Sequence, residues 1–308
     1  MYNLCYRLYF KCKRSLKRNS NTQSFSFKTA EKLIGYLETW FNLKYVNILK
    51  YRKYNISGIN SKPRDKNIIA SLTTYPARID TVWIAIETIM RQSVKPDVIE
   101  LWLAEEQFNG IDSLPQSVFD LQLRGLTIRF CDDLKSHKKY FYTLQEHNND
   151  LVILFDDDMF YPTDTIEKLL KMHSKYPNDI CCITSQHIGK NWHILPSSWR
   201  NPFLSEENGH SAELQVYTGS GSLFPPDSLH TDAFKKAMIL ELCPTADDLW
   251  LSFMAHLKGT RITSLNEWRP FPVEIYGTAR DSLWYINAEE GMNDIQWKKL
   301  LDHYERIG

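Results

Sequence analysis

The sequence predicts an α/β protein built on a mostly parallel sheet flanked by helices. Short apolar runs alternate with segments of helical period through residues 67–155, which is the order typical of strand–helix–strand units. The run at residues 151–155 contains no polar residue, as expected of a strand buried on both faces. With 308 residues, 43% of them hydrophobic and 24% charged, the chain has a globular composition and ample material for a core.

The first segment, residues 1–60, is expected to form a basic amphipathic extension. Residues 1–53 hold twelve Lys or Arg and two Glu, although the whole chain has no net charge. Apolar side chains interleave with these bases, and the pattern favours a helix that lies on an acidic membrane surface. A solvated helical extension or a packing arm is the alternative.

The expected location of the protein follows from two features that its sequence lacks, a signal peptide and a membrane-spanning run. Its bases interrupt the apolar core that a signal peptide needs. The sequence also has no run of roughly 18 uninterrupted apolar residues, the length of a spanning helix. We therefore expect a cytoplasmic protein, peripheral at the inner face of the plasma membrane. The six cysteines have neither zinc-ligand spacing nor a secreted framework, so we expect free thiols.

Elements of the sheet follow a linker at residues 56–66, which contains Gly, Pro and mixed charge. Apolar runs predict strands, and apolar residues repeating every three or four positions predict helices. The predicted strands are residues 67–72, 98–103, 126–131 and 151–155, and the predicted helices are residues 79–91 and 137–147. A later helix is expected at residues 247–257, where apolar residues trace one buried face.

Polar side chains follow three of the predicted strands. Thr73 and Thr74 end the first, Asp132 and Asp133 the third, and residues 156–158, all Asp, the fourth. Ligands of open α/β sheets bind at the carboxyl ends of the strands, so these residues predict a ligand cleft. Three adjacent carboxylates must be solvated or neutralised by a cation. The triplet is therefore a candidate site for a divalent metal that carries a phosphorylated ligand.

Three further groups suit such a ligand. Lys138 or Lys139, at a predicted helix start, could hold phosphate oxygens with help from the helix dipole, although most such lysines are merely solvated. Gly219 and Gly221 would let backbone amides approach a ligand, although a hairpin turn would use the same residues. Residues 247–248, both Asp, could provide a general base or could simply favour the start of a helix capped by Thr245.

An ordered set of motifs resembles the GT-A-fold glycosyltransferases, in particular family 2-like enzymes of bacterial capsule and O-antigen polysaccharide synthesis. The resemblance spans about two-thirds of the chain. It includes a first strand-loop, a basic helix start, an Asp-x-Asp motif with a trailing aromatic-Pro turn, a glycine loop and an acidic motif near the acceptor. These are residues 71–79, 138–140, 155–162, 217–226 and 243–250, respectively.

The resemblance implies a metal-dependent transfer of a sugar from a nucleotide-sugar donor, with a UDP-sugar expected first. The implied acceptor is a glycan or a lipid-linked oligosaccharide, with no role for nucleic acid. Residues 61–275 would form the GT-A catalytic domain, and residues 276–308 a helical tail. The implied cofactor is Mn2+ or Mg2+, with Asp156 and Asp158 as metal ligands.

The resemblance also assigns the remaining residues of the site. Asp247 or Asp248 would be the base of an inverting displacement. Asp156 would also contact the donor. Asp157 is the member of the triplet that is expected to have a structural role. The expected donor-site residues are Thr73, Thr74, Arg78, Asp132, Lys138, Asp156, Asp157, Gly219 and Gly221. Neither His256 nor His303 lies in a metal-ligand motif, so no histidine ligand is assigned.

Two other functions fit parts of the pattern. A sugar-phosphate nucleotidyltransferase can share the sheet edge and the metal carboxylates. It would need a first loop rich in Gly, Arg or Lys, whereas residues 73–78 contain one Arg and no Gly. A non-catalytic, membrane-associated carbohydrate-binding protein is the other alternative, and it would leave the acidic clusters without a function.

Overall fold

A central eight-stranded sheet organises the computed structural model, which describes residues 25–51, 56–189, 192–199, 209–265, 272–278, 283 and 285–305. Residues 1–24 and 52–55 of the predicted basic extension lie outside this part of the chain. The strands are β1 Ile68–Thr73, β2 Val98–Ala104, β3 Leu126–Cys131, β4 Leu151–Leu154, β5 Met159–Phe160, β6 Ile180–Cys182, β7 Ser185–His187, β8 His210–Ser211, β9 Leu214–Val216, β10 Ser222–Phe224, β11 Ile262–Ser264 and β12 Val273–Glu274. The helices are α1 Phe25–Tyr51, α2 Val82–Met90, α3 Gln116–Gln122, α4 Lys138–Phe141, α5 Thr143–Glu146, α6 Thr165–Lys175, α7 Lys236–Leu242, α8 Asp247–Lys258 and α9 Met292–Glu305.

The strand order confirms the predicted fold class. The sheet runs β3-β2-β1-β4-β10-β6-β11-β8, and only β10 and β8 run against the other six strands. Ser71 pairs with Leu154 in the β1–β4 register. The residues that follow β1 and β4 therefore emerge side by side at one edge of the sheet.

Strand β10 enters the sheet between β4 and β6, antiparallel to both. Because it runs in the opposite direction, its start lies at the edge where β4 ends. Ser222 is paired with Leu154 on one side and with Cys182 on the other. This insertion, which the sequence did not predict, carries Gly219 and Gly221 to the end of β4.

Alternating residues of the strands bury two separate hydrophobic clusters, one on each face of the sheet. One cluster includes Val152 together with Trp250 of α8 and Trp297 of α9. The other includes Ile153 with residues of α2, α3 and α6. Both faces are thus covered by helices, which explains the continuous apolar run in β4.

Helix α1 packs against the rest of the protein through one face. Phe41 and Tyr45 are buried against Phe160, with Phe41 edge-on to the Phe160 ring at 5.9 Å between centroids. Asn42 donates to the Glu274 carbonyl at 3.1 Å and accepts from the Tyr276 amide at 2.7 Å. Across the described residues, no helix has the length and apolar content needed to cross a bilayer.

Two helices differ from their predicted bounds. The predicted helix at residues 79–91 begins later, at Val82, after a short 3-10 turn over Pro76–Arg78. The predicted helix at residues 137–147 is divided at Tyr142 into α4 and α5. The four cysteines in the described residues are free and buried, as expected.

Candidate active site

Asp157, the middle residue of the acidic triplet, is held by two side chains from the end of β1. Its carboxylate accepts a hydrogen bond from the Thr74 hydroxyl and pairs with Arg78, whose Nη1 lies 2.7 Å from Oδ1. The residue is buried, and each of its carboxylate oxygens has a protein partner. These contacts make Asp157 an anchor of the strand end.

Arg78 joins Asp157 to Asp158. The same Nη1 atom is 2.8 Å from Asp158 Oδ2, and Nη2 donates to the Thr278 carbonyl at 2.9 Å. Burial raises the pKa of Asp158 well above its usual range, because the charge of Arg78 opposes this effect only in part. Asp158 Oδ1 is buried and has no hydrogen-bond partner within the described part of the chain.

This unpartnered oxygen fits a divalent cation. A buried carboxylate oxygen without a partner is costly, and Mg2+ or Mn2+ would satisfy it. Such ions are commonly held by one or two carboxylates together with substrate phosphates, so Asp158 with Asp156 would suffice. The unpartnered oxygen of Asp158 therefore fits the implied metal, and Asp156 stays the predicted second ligand.

A second acidic cluster is a weaker candidate for a metal. Potential ligand atoms of Glu100, Glu146 and His147 lie within 4.8 Å of one another. Arg129 already pairs with Glu100 at 3.3 Å and with Glu146 at 3.5 Å. In contrast to Asp158, the described atoms of this cluster include no buried oxygen without a hydrogen-bond partner, so we assign no metal to it.

Lys139 lies between two carboxylates from different elements. Its Nζ is 2.6 Å from Asp156 Oδ1 and 2.9 Å from Asp247 Oδ2, and its side chain is 3% exposed. Burial alone would lower the lysine pKa, but the two carboxylates outweigh burial and raise it. A permanently charged ammonium therefore connects the end of β4 to the start of α8.

Gly219 contacts the Asp156 side chain so closely that any other residue would displace the carboxylate. A Cβ atom on Gly219 would lie 1.8 Å from Asp156 Oδ2. The buried Tyr161 hydroxyl fixes this approach, since it accepts from the Asp156 amide at 2.7 Å and donates to the Gly219 carbonyl at 2.8 Å. Gly221, two residues further on, has a φ of +98°, which favours glycine.

Asp247 and Asp248, at the start of α8, have different environments. Thr218 contacts both, donating its hydroxyl to Asp247 Oδ2 at 2.9 Å and its amide to Asp248 Oδ1 at 2.8 Å. Burial would raise the pKa of Asp247, but the Lys139 charge outweighs it and the pKa is about 2. Asp248 is half-buried, and burial together with the Asp247 charge raises its pKa to about 7. Two adjacent carboxylates with separated pKa values suit distinct roles, and Asp248 suits that of a proton acceptor.

Three residues predicted to bind the donor lie outside this cluster of contacts. The Thr73 hydroxyl donates to a backbone carbonyl of β2 at 2.8 Å. Asp132 is exposed and pairs with Lys236, while Lys138 pairs with Asp133 at 2.7 Å. Strands β1 and β2 separate β3 from β4. The roles of Thr73, Asp132 and Lys138 in donor binding stay predictions.

Two residues of the site, Tyr161 and Thr218, lie within the predicted motifs at residues 155–162 and 217–226 but had no predicted role, and a third had only an alternative one. Lys139 was the alternative to Lys138, and only the packing of α4 decides which lysine faces the triplet. Thr218 and Tyr161 carry no sequence signal for their contacts. Tyr161 bonds a carbonyl 58 residues away, which local pattern cannot reveal.

The sequence comparisons concern the central part of the chain. The glycosyl transferase family 2 model matches residues 141–238, about a third of the chain. This segment includes the acidic triplet and Gly219 and ends before Asp247. No curated protein is significantly similar in sequence.

Several solved structures are similar to parts of this chain. One is the mannosyltransferase PcManGT from Pyrobaculum calidifontis, in complex with GDP-Man and Mn2+, which is 12% identical over 84% of this chain and 70% of that chain, with a TM-score of 0.46. S. aureus TarS, residues 1–349, is 14% identical over 65% of this chain and 58% of that one, with a TM-score of 0.42. A 4-diphosphocytidyl-2C-methyl-D-erythritol synthase is 8% identical over 70% of this chain and 96% of its own, also with a TM-score of 0.42. Similarity at this level does not indicate the activity of this chain.

Proposed function

We propose that the chain is a glycosyltransferase that moves a sugar from a nucleotide-sugar donor to a hydroxyl group of a glycan. One observation carries the proposal: Lys139 joins Asp156 at the end of β4 to Asp247 at the start of α8. Thr218 in turn contacts both Asp247 and Asp248, so a carboxylate suited to a metal and the carboxylate suited to proton transfer belong to one network of contacts. The match of residues 141–238 to the glycosyl transferase family 2 model supports the same class.

The donor would bind at the end of β4, with a UDP-sugar as the first candidate. Asp158, through its unpartnered Oδ1, and Asp156 would hold Mn2+ or Mg2+. When bound, such an ion neutralises charge on a departing nucleoside diphosphate. Asp157 and Arg78 hold Asp158 in place, and Gly219 leaves room for the Asp156 carboxylate.

The acceptor would be activated by Asp248. Asp247, paired with Lys139 and with a pKa of about 2, is a weak base, whereas Asp248 has a pKa of about 7 and is half-buried. Asp248 would take the proton of the acceptor hydroxyl while the hydroxyl oxygen attacks the anomeric carbon from the face opposite the nucleotide. The bond from that carbon to the diphosphate oxygen breaks, its electrons leave with the diphosphate, and the configuration inverts.

The acceptor class and location rest on the resemblance of the motifs to capsule and O-antigen enzymes. They support a glycan or a growing lipid-linked oligosaccharide as the acceptor, in surface polysaccharide synthesis in the cytoplasm.

A thermal-shift panel tests the proposal. UDP-, GDP- and dTDP-sugars are added with and without Mn2+, because a donor at about 100 times its Kd stabilises the folded state by about 2.7 kcal/mol. We expect one nucleotide class to raise the Tm in the presence of metal, and Asp158→Asn to abolish that rise. Asp112→Asn, a change at an exposed aspartate, is the control. A flat panel across all donors would overturn the proposal.

The reaction product separates the proposed activity from its alternatives. Release of a nucleoside diphosphate with transfer of the sugar supports glycosyl transfer. Formation of pyrophosphate from a nucleoside triphosphate and a sugar phosphate would instead identify a nucleotidyltransferase. Sugar binding without turnover would identify a carbohydrate-binding protein.

A further inference from the structure

The outer face of helix α1 carries a row of large apolar side chains. Leu33, Tyr36, Trp40 and Leu43 are 47%, 73%, 57% and 58% exposed, respectively. They are spaced three or four residues apart, so they share one face of the helix. We call these four residues the apolar stripe. Four large apolar side chains together on one exposed helix face mark an interaction surface rather than isolated exposure.

The stripe lies on the side of α1 that faces away from the protein. The inward face of the helix is formed by Ile34, Phe41, Tyr45 and Leu49, each at most 7% exposed. At about 100° per residue, the centres of the two faces lie roughly 160° apart. The core-facing side of α1 is already buried. The stripe is therefore a second, separate apolar surface of the helix.

Charge identifies the partner that fits the stripe. Lys32, Lys44 and Lys50 are exposed, and their positions on the helix flank the stripe on both sides, with Lys44 on one side and Lys32 and Lys50 on the other. Glu38 is half-buried and lies on the opposite side of the helix. Among the described side chains of α1, the charged residues that border the stripe are thus all cations.

We propose that the apolar stripe is the membrane-docking surface of the protein, and that it lies on a bilayer containing anionic lipids. Aromatic rings and leucines at the level of the headgroups, bordered by lysines that reach anionic lipids, are the composition of an interfacial helix. A second copy of this chain would bring its own lysines against Lys32, Lys44 and Lys50, which opposes pairing through the stripe. The inference is independent of sugar transfer, because lipid binding is measured without donor or acceptor.

A chain of contacts connects helix α1, which carries the apolar stripe, to the candidate active site. The inward face of α1 packs on Phe160 of β5, two residues after Asp158. Strand β12 pairs with β5, and the Ile275 amide that follows β12 donates to the Asp158 carbonyl at 2.6 Å. A docked α1 would therefore hold the end of β4 at a fixed height over the membrane.

Flotation of the full chain with vesicles tests the proposal. The vesicles contain either phosphatidylcholine alone or equal parts of phosphatidylcholine and phosphatidylglycerol. We expect binding to the anionic vesicles, and on the order of a tenfold loss in the triple variant Leu33→Ser, Trp40→Ser, Leu43→Ser. The matched control is Phe119→Ser, Leu123→Ser, Leu240→Ser, which removes three exposed apolar side chains elsewhere on the protein.

A charge series tests the choice of lipid. Changing Lys32, Lys44 and Lys50 to Gln should weaken binding to anionic vesicles and reduce its dependence on salt. The control changes three exposed lysines elsewhere, Lys62, Lys171 and Lys298, and should bind like the unaltered chain. Circular dichroism checks that every variant keeps its helical content.

Two results would overturn the proposal. Flotation of the stripe variant equal to that of its control would mean that other residues bind the membrane. A dimer that dissociates in the stripe variant, together with no flotation of the unaltered chain, would assign the stripe to a second copy instead.

Discussion

Asp157 and Asp158 are adjacent, yet their contacts give them different functions. Asp157 has a partner for each carboxylate oxygen, whereas Asp158 has one buried oxygen without a partner. Asp157→Asn should lower the free energy of unfolding by roughly 1–3 kcal/mol, because Arg78 loses a charged acceptor. Asp158→Asn also removes an Arg78 contact, but it should change stability less, because it replaces a buried charge that Arg78 neutralises only in part. It should abolish stimulation by Mn2+. Urea unfolding and metal titration of activity distinguish the two, and equal effects of both variants would contradict this division.

At Gly219 we expect activity and stability to respond differently. Gly219→Ala places a methyl group 1.8 Å from the present position of Asp156 Oδ2. The carboxylate can rotate away at small cost to folding, but it then leaves its place in the site. We expect a loss of activity on the order of 100-fold, as for misplaced catalytic groups, with a nearly unchanged Tm. Gly35→Ala, at an open position of α1, is the control and should leave activity unchanged.

Asp248 should make activity and stability depend on pH in opposite directions. Its folded-state pKa of about 7 lies above the value of about 3.9 for an unfolded aspartate. The folded state binds the proton of this group more tightly than the unfolded state does. The resulting contribution to the free energy of unfolding is fully present below a pH of about 3.9 and is lost as the pH rises to about 7. The rate, in contrast, should rise up to pH of about 7, because the base must be ionised.

The variant Asp248→Asn separates these effects. At pH 8 we expect it to be inactive but more stable than the unaltered chain by about 1–2 kcal/mol, after allowance for partial exposure. Near pH 4 the gain should vanish. Calorimetry at the two pH values measures the difference, and a gain that does not depend on pH would argue against a raised Asp248 pKa.

At the scale of elements, α1 is an integral part of the fold through its inner face. Phe41 is 3% exposed against Phe160 and Tyr45. Phe41→Ala should lower the free energy of unfolding by about 3–5 kcal/mol, as is usual for a buried phenylalanine. Tyr36→Ala, at a 73% exposed position of the same helix, should change it by less than about 0.5 kcal/mol. Urea unfolding in the absence of lipid compares the two, and a small effect of Phe41→Ala would show that α1 is not docked.

Elements whose stability is local were predictable from the sequence, and those stabilised by distant partners were not. The predicted β3 has the observed bounds, Leu126–Cys131, because its apolar run and its turns lie in one window. Strands β5 and β12 have two residues each and exist because they pair with each other. Such short strands have no periodicity of their own to detect.

The same division applies to the candidate site. Residue type and spacing were enough to single out the acidic triplet and Asp247–Asp248 as candidates, because adjacent carboxylates repel each other and are costly to bury without a partner. The pattern could not show that Lys139 rather than Lys138 contacts Asp156. That outcome depends on which side of a four-residue helix faces the sheet.

For the whole molecule, the position of β10 has a consequence for synthesis on the ribosome. In the sheet β4 and β6 are joined only through β10, which lies between them. Until residue 224 has emerged, one edge of β4 and both edges of β6 are therefore unpaired. Unpaired apolar edges promote aggregation, so the nascent chain depends on chaperones most between residues 182 and 224. Stalled chains should become resistant to protease only at lengths that place β10 outside the exit tunnel. Pauses in translation before that length should therefore reduce the yield of folded protein far more than pauses after it.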